Sequence, residues 1–301
     1  MSRALVVVNP RAGGGRTGRV WPRLRDALTR AGLAFDWAVT RAAGDAVVLA
    51  RDGARSGHTL VVAVGGDGTL NEVVNGLTDA DGTPLATAGA LLTGRGRDAC
   101  RNFGVPRRIA DAVAALTAGV DSTFDLGLAT WAHGGRRYFV GAAGAGFDAA
   151  VAARAAAVGA RGTLPYLLAV LATVRASHPT PLTLTVDGRT VWRTPLLTAV
   201  VANARHFGGG MRIAPAADPG DGRLDLVILG ALGRLEIVRW LPTIYWGGHL
   251  ANPRITTHRA AVITMDGPTS LPIQLDGEVD AGTPVTITVA PRALRLRLPR
   301  G

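Results

Sequence analysis

Gly65-Gly66-Asp67-Gly68-Thr69-Leu70-Asn71-Glu72 follows directly on the apolar run Thr59-Leu60-Val61-Val62-Ala63-Val64. The run reads as a buried strand and the residues from Leu70 onward as a helix, with glycines around an acid between them. Glycines let backbone N–H groups approach a ligand closely, and a helix start presents unpaired donors at the positive end of its dipole. That combination suits a nucleotide phosphate. Asp67 asks for more than anion binding, because a carboxylate among phosphates needs a metal or a proton to manage it. The plainer alternative is a tight strand-to-helix turn that Asp67 merely caps.

Outward from this turn, strands and helices alternate. Residues 4–8 form a buried strand ended by Asn9-Pro10 and Gly13-Gly14-Gly15. Helical spacing is expected over 20–31, 42–56, 70–76 and 109–118, and strands over 33–39 and 88–92, which together make parallel βαβ units. Near residue 121 the texture changes. Short strands are expected over 124–129, 137–142, 182–186, 195–202, 224–229, 255–265, 273–275 and 284–289, with Asp187-Gly188, Asp221-Gly222 and Asp276-Gly277 as turns. Apolar helices over 146–158 and 164–176 interrupt them. The expected organisation is an α/β domain over 1–121, a β-rich domain over 122–290, and a C-terminal strand over 291–301 that returns to the first domain.

Composition excludes several chemistries. The 301 residues are 48% hydrophobic and 18% charged, which describes a globular chain. No apolar run reaches the ~18–20 residues that span a bilayer. Met1-Ser2-Arg3-Ala4 leads straight into a strand, and the single Cys100 admits no internal disulfide, so a cytoplasmic setting is expected. The net charge is +11, and every basic side chain in the count is arginine. Without lysine there is no Walker A loop, no protein-kinase strand lysine and no Schiff base. Codon bias in a high-GC genome is the plain explanation of the arginines. The charge could also bind nucleic acid or an anionic membrane surface, and scattered arginines with 5% aromatic residues make nucleic acid the weaker choice. The six histidines show no metal-ligand spacing.

Gly13-x-Gly15-x-x-Gly18, with Asp36 about 20 residues on, matches a dinucleotide fingerprint on paper. Asn9-Pro10-Arg11-Ala12 pushes these glycines away from the strand end, and the Gly65 turn would go unexplained.

Gly65 to Gly76 resembles the nucleotide-binding signature of the diacylglycerol kinase catalytic domain family, which includes bacterial soluble lipid kinases, sphingosine kinases and ceramide kinases. Asn9-Pro10 with its glycines, Gly144-x-Gly146-Phe147-Asp148-Ala149, Asn203 with Gly208-Gly209-Gly210-Met211 and Ala214-Pro215, Asp221-Gly222-x-Leu224-Asp225 and Asp276-Gly277-Glu278 extend the resemblance nearly end to end. The resemblance implies an NAD-kinase and phosphofructokinase-like α/β nucleotide domain followed by a β-sandwich-like lipid domain, with the nucleotide between them. It implies transfer of the ATP γ-phosphate to the hydroxyl of diacylglycerol or a similar lipid alcohol.

By the same resemblance, Asn9, Thr40, Gly65, Gly66, Asp67, Gly68, Thr69, Leu70, Asn71, Arg95 and Glu278 contact the nucleotide. Asp276 is the general base for the lipid hydroxyl, although Asp-Gly is also the commonest hairpin signal. Asp67, Asp98 and Asp125 surround a water-linked catalytic Mg²⁺. Asp218, Asp221 and Arg223 hold a structural Mg²⁺, through the Asp221 side chain and two backbone carbonyls; an ordinary glycine turn explains those residues too. Gly94-Arg95-Gly96-Arg97-Asp98-Ala99-Cys100-Arg101 departs from the family's Gly-Thr-Gly-Asn-Asp-Phe-Ala-Arg by two arginines, which either contact phosphates or fill the site and impair it. Residues 164–174 are a core helix or a wall of an acyl-chain pocket. Peripheral attachment to anionic headgroups is expected, and a homodimer is compatible with the resemblance. An NAD-kinase-like enzyme is a third reading.

Overall fold

The computed structural model describes residues 3–94, 96–157, 163–176, 178–268 and 271–300. The chain divides into two compact units, one of Met1–Leu126 with Ala290–Gly301 and one of Gly127–Val289.

In the first unit β1 (Ala4–Val8), β2 (Phe35–Val39), β3 (Leu60–Gly65) and β4 (Thr87–Leu92) run parallel in the order β4-β3-β1-β2. β1 and β3 are buried along their whole length, as unbroken Val/Leu runs require of strands covered on both faces. The helices are α1 (Arg16–Arg30), α2 (Asp45–Arg55), α3 (Asp67–Leu77), α4 (Asp98–Phe103) and α5 (Ile109–Ala118). Val6, Val8, Val62 and Val64 form one core layer with Leu24 and Leu28 of α1 and Leu116 of α5. On the opposite face α2 crosses so closely that a Cβ on Gly53 would lie 2.4 Å from Leu5 Cδ2.

Helix starts differ from the sequence expectation. α1 begins at Arg16 and α3 at Asp67, because apolar spacing locates the buried face of a helix and not its polar first turn. Asp67 and Gly68 therefore belong to the helix rather than to the turn before it. The short α4 was not expected at all.

β5 (Val120–Thr130) carries the chain into the second unit, where it pairs with β6 (Arg136–Phe139). There follow β7 (Ala142–Gly146), α6 (Phe147–Ala157), α7 (Thr163–Ala176), β8 (Thr180–Pro181), β9 (Thr183–Val186), β10 (Arg189–Trp192), β11 (Pro195–Ala202) and β12 (Leu224–Gly230). Then come α8 (Arg234–Trp240), two 3-10 turns, β13 (Ile255–Ala260), β14 (Val262–Asp266), β15 (Pro272–Leu275), β16 (Glu278–Gly282) and β17 (Val285–Leu298). One antiparallel sheet runs β13-β12-β11-β7-β15-β16, with β8 beside β11. In the other, β9 pairs β10 and β14, and β14 pairs residues 285–288 of β17.

The two sheets share a core in which Leu184, Ile263, Met265 and Ile287 meet Val201, Leu226, Ile228 and Ile273. This is a β-sandwich. Alternate residues of the larger sheet, among them Leu197, Val200, Val227 and Leu229, face α6 to α8 instead, which is why β11 and β12 are apolar on both sides. Beyond Val289, β17 belongs to the first unit, where Leu296 pairs in parallel with Ala88.

Two expected strands prove to be pairs of elements. Residues 255–265 break at Ala261 into β13 and β14 of different sheets, and the Ala261 and Val262 N–H groups donate to Asp187 Oδ1 at 3.1 and 2.9 Å. Residues 137–142 break between Phe139 and Ala142 for a reason that belongs to the site.

Candidate active site

In the first unit the ends of β1, β3 and β4 lead into three loops that touch one another. The Thr93 N–H donates to the Gly65 carbonyl at 2.8 Å and the Gly94 N–H to the same oxygen at 3.1 Å. A Cβ on Gly94 would sit 2.8 Å from Gly66 Cα, and one on Gly65 would sit 2.3 Å from Thr69 Oγ1. Gly94 is thus demanded by crowding between backbones and Gly65 by the Thr69 side chain; Gly66 itself is extended (φ −103, ψ −173). Asn9 Nδ2 donates to Thr69 Oγ1 at 3.1 Å, which ties the β1 loop to the first turn of α3. The Thr17 and Thr93 hydroxyls meet at 2.5 Å and tie it to the β4 loop.

Gly66 offers no side-chain cap, so the first-turn N–H groups of α3 have no acceptor within the helix. Thr40, buried at the end of β2, lies on the same carboxyl edge of the sheet, where ligands of open α/β sheets bind. Leu70 and Asn71 are buried, and Asn71 Oδ1 accepts from Asn75 Nδ2 at 3.2 Å, so both act on the inner side of α3. Arg95 lies outside the described residues.

Asp67 spans two loops. Its Oδ2 accepts the Arg97 N–H at 2.8 Å and its Oδ1 the Ala99 N–H at 3.1 Å, and a Cβ on Gly96 would lie 2.8 Å from Oδ2. Asp98 Oδ1 pairs with Arg101 Nη1 at 2.8 Å. Asp125 is buried and accepts the Arg292 N–H at 2.7 Å. Among the described residues no three acidic, histidine or cysteine side chains come together to hold a metal. Asp67, Asp98 and Asp125 thus form no protein cage for a metal among the described residues.

Arg97 adopts the left-handed conformation (φ 54, ψ 35), and its Nε donates to the Gly94 carbonyl at 3.2 Å, within its own loop. Asparagine tolerates that conformation better than arginine. Arg97→Asn is expected to raise stability by about 1 kcal/mol, read as a higher midpoint in urea. An unchanged or lower midpoint would mean that the side-chain contact outweighs the strain.

Asp36, the acid of the dinucleotide fingerprint, is engaged by Arg3 at 2.5 Å and His58 at 3.2 Å. Gly18 lies inside α1 against Pro10, with the Pro10 carbonyl 3.2 Å from where a Cβ would stand. The fingerprint is helix packing and an ion pair.

In the second unit, Asp276 and Gly277 are both left-handed (φ 49 and 87) and make the hairpin turn between β15 and β16. The turn also aims the carboxylate. Asp276 Oδ2 accepts the Val140 N–H at 2.7 Å, and Oδ1 accepts those of Gly141 and Ala142 at 2.8 and 3.0 Å. The break between β6 and β7 frees these donors from the sheet. Buried Asn203 Nδ2 holds the Val140 carbonyl at 2.9 Å. Glu278 pairs with Arg137, which also binds Asp280 at 3.1 Å.

Behind this turn, the Gly277 N–H donates to Gln274 Oε1 at 2.7 Å, and Gln274 Nε2 donates to Asp148 Oδ2 at 3.0 Å. Thr198 Oγ1 lies 2.7 Å from Asp148 Oδ1 and 2.9 Å from the Ala145 carbonyl. The Thr198 hydroxyl is placed to donate to either oxygen. Burial pushes the Asp148 carboxyl above the ordinary carboxylate range, against the opposing hydrogen bonds of Thr198 and Gln274. Gly144 makes room for it, because a Cβ there would lie 1.8 Å from Asp148 Oδ2. Asp148 stood in a quoted motif without a role, and Gln274 carried no sequence signal.

Asp148 and Thr198 also line an apolar cavity of about 760 Å³, partly open to solvent, between the larger sheet and α6 to α8. Val151, Val170, Met211 and Ile237 are among its walls. Val170 comes from the helix expected to border an acyl pocket; the side chains of residues 164–168 are outside the described residues. His249, another wall, is pushed down by burial, and its Nε2 meets the Ile213 carbonyl at 3.0 Å.

The expected structural Mg²⁺ loop has a different counterion. Asp221 Oδ1 accepts the Arg223 N–H at 2.9 Å, and Oδ2 pairs with the Arg259 guanidinium. The Asp218 carbonyl accepts the Asp221 N–H at 3.3 Å. The Arg259 guanidinium therefore competes with a structural Mg²⁺ for the Asp221 carboxylate. Chelation of divalent ions should leave the melting temperature unchanged. Arg259→Ala should cost about 1 kcal/mol and make melting sensitive to Mg²⁺. A parent protein that loses several degrees on chelation and regains them with Mg²⁺ would restore the metal.

A family model described as the diacylglycerol kinase catalytic domain matches residues 3–129, and one described as the YegS C-terminal NAD kinase beta sandwich-like domain matches residues 141–298. A diacylglycerol kinase of Mycobacterium tuberculosis is 32% identical over 246 residues, which cover 81% of this chain and 78% of that protein. A crystal structure of a diacylglycerol kinase from Bacillus anthracis superposes with a TM-score of 0.73 at 20% identity, over 99% of this chain and 97% of the other. Yeast NADH kinase complexed with NADH superposes at 0.53 and 10% identity, over 99% and 84%, a likeness of fold alone.

Proposed function

The chain belongs to the diacylglycerol kinase catalytic domain family of lipid kinases, and from that premise we propose that it transfers the γ-phosphate of ATP to the hydroxyl of diacylglycerol or a similar lipid alcohol. The observation that carries this reading is the meeting of Asn9, Gly65 to Thr69, Gly94 and Gly96 to Asp98 around the open first turn of α3. Backbone N–H groups there, at the positive end of the helix dipole, bind the ATP phosphates without a lysine. Mg²⁺ bound to the nucleotide supplies neutralisation of the β- and γ-phosphate charge.

Asp276, fixed by its backbone donors, accepts the proton of the lipid hydroxyl as its oxygen bonds to phosphorus and the bond to the ADP oxygen breaks. A loose phosphoryl-transfer transition state rewards such positioning above all. The cavity supports the lipid half of the reading. Its walls are almost wholly apolar side chains, and each methylene it buries contributes about 0.8 kcal/mol. Arg97, folded onto Gly94, favours an open nucleotide site over an impaired one.

The test is transfer of label from γ-labelled ATP to a panel of emulsified lipid alcohols with Mg²⁺. Lipid-dependent label in phosphatidic acid or a related phosphate is the expected result. Tight ATP binding without any lipid-dependent turnover would sink the proposal.

A further inference from the structure

The catalytic reading does not absorb the outer face of residues 234–246. α8 passes directly into the 3-10 turn Leu241–Trp246. Ile237, Trp240, Leu241 and Ile244, at helical spacing, line the cavity. The opposite stripe is also apolar: Leu235 is 88% exposed, Trp246 62%, Tyr245 52% and Val238 48%. A helical segment apolar on both sides has two apolar surroundings to satisfy, and the protein supplies only the inner one.

Charge identifies what the outer one is. Arg234 and Arg239 stand exposed beside the stripe, and the Arg239 guanidinium lies 5.9 Å from the Trp240 ring. The only acid of the segment, Glu236, accepts from Arg254 Nη1 and Asn252 Nδ2, both at 3.0 Å. The stripe is therefore flanked by positive charge, on a chain of net charge +11. Tryptophan and tyrosine favour the boundary between headgroups and acyl chains, and arginine stems lie along apolar surface while their heads reach phosphates. A second copy of the chain fits poorly, because a two-fold contact would bring the same arginines towards one another.

We propose that residues 234–246 are an interfacial docking element that seats the second unit on an anionic phospholipid bilayer. Leu235, Val238, Tyr245 and Trp246 enter the boundary, and Arg234 and Arg239 bind lipid phosphates. Docking places the bilayer on one side of this segment and the cavity on the other; that consequence rests on the cavity being the lipid site, whereas the docking does not.

Full-length protein is sedimented with vesicles of phosphatidylglycerol and, separately, of phosphatidylcholine. Binding to the anionic vesicles that weakens with salt is expected. Leu235→Ser with Trp246→Ser should lower vesicle partitioning roughly tenfold or more at an unchanged melting temperature. Arg234→Gln with Arg239→Gln should remove the preference for anionic lipid. A double serine variant that binds vesicles like the parent overturns the proposal. So does one whose substitutions turn a dimer into a monomer by light scattering while vesicle binding persists. Vesicle binding that depends on these residues in a protein that phosphorylates no lipid would uphold the docking and remove the kinase reading. Phosphorylation of a water-soluble short-chain diacylglycerol, unaltered in a serine variant that no longer binds vesicles, upholds both.

Discussion

Asp276→Asn is expected to lower lipid-dependent turnover by about 10²–10⁴ while ATP binds as before. The reason is geometric as well as chemical. The carboxylate is held by the N–H groups of Val140, Gly141 and Ala142 at 2.7–3.0 Å, so it cannot drift from the position that the hydroxyl must find. The asparagine amide removes the proton acceptor and sets its own N–H₂ near backbone donors, at a cost of about 1–3 kcal/mol. Turnover, ATP affinity and melting temperature must therefore be measured together. Asp276→Ser provides a second version in which no N–H confronts the donors. Parent-like turnover in either folded variant would remove Asp276 from the proton transfer.

The second large effect concerns the support behind that turn. Gly144→Ala drives a methyl to 1.8 Å from Asp148 Oδ2 inside a buried network. Overpacking and lost hydrogen bonds together should cost about 3–5 kcal/mol, read in chemical denaturation. Asp148→Asn should cost less, because the amide keeps the shape of the carboxyl and brings no charge that burial would penalise.

The pH dependence separates the two side chains. The Asp148 carboxyl titrates near its ordinary 3.8 when the chain unfolds and is raised in the fold. Its contribution to stability is thus complete below the unfolded value and is lost as pH rises towards the folded one. Asp148→Asn should flatten that decline and gain on the parent at alkaline pH. If the parent and Asp148→Asn have parallel stability–pH profiles, the Asp148 carboxyl is not raised in the fold.

The parts of this protein that were readable residue by residue are those whose causes are local. The Val/Leu strand before Gly65, the helices of the first unit and the switch to short strands beyond residue 121 follow from side-chain period and turn chemistry, which act over a few residues. The resemblance to lipid kinases rested on such local blocks, and the family comparison agrees with it. Helix starts were misread by several residues because a polar first turn leaves no apolar trace. Residues 255–265 were misread because alternation is the same on either side of a sheet switch. The docking segment escaped because a helix apolar on both faces has no single periodic stripe.

The sequence alone determined the two-part α/β and β-rich architecture, the glycine turn at Gly65 and which acids stand as candidates for the chemistry. Tertiary structure decided what each acid touches. Asp276 meets its donors 134–136 residues away, Asp148 reaches Gln274 over 126, and Asp221 pairs with Arg259 over 38. Hydrogen bonds and ion pairs are formed by whichever groups strand register and helix packing bring within 3 Å or so, and separation along the chain carries no record of that distance.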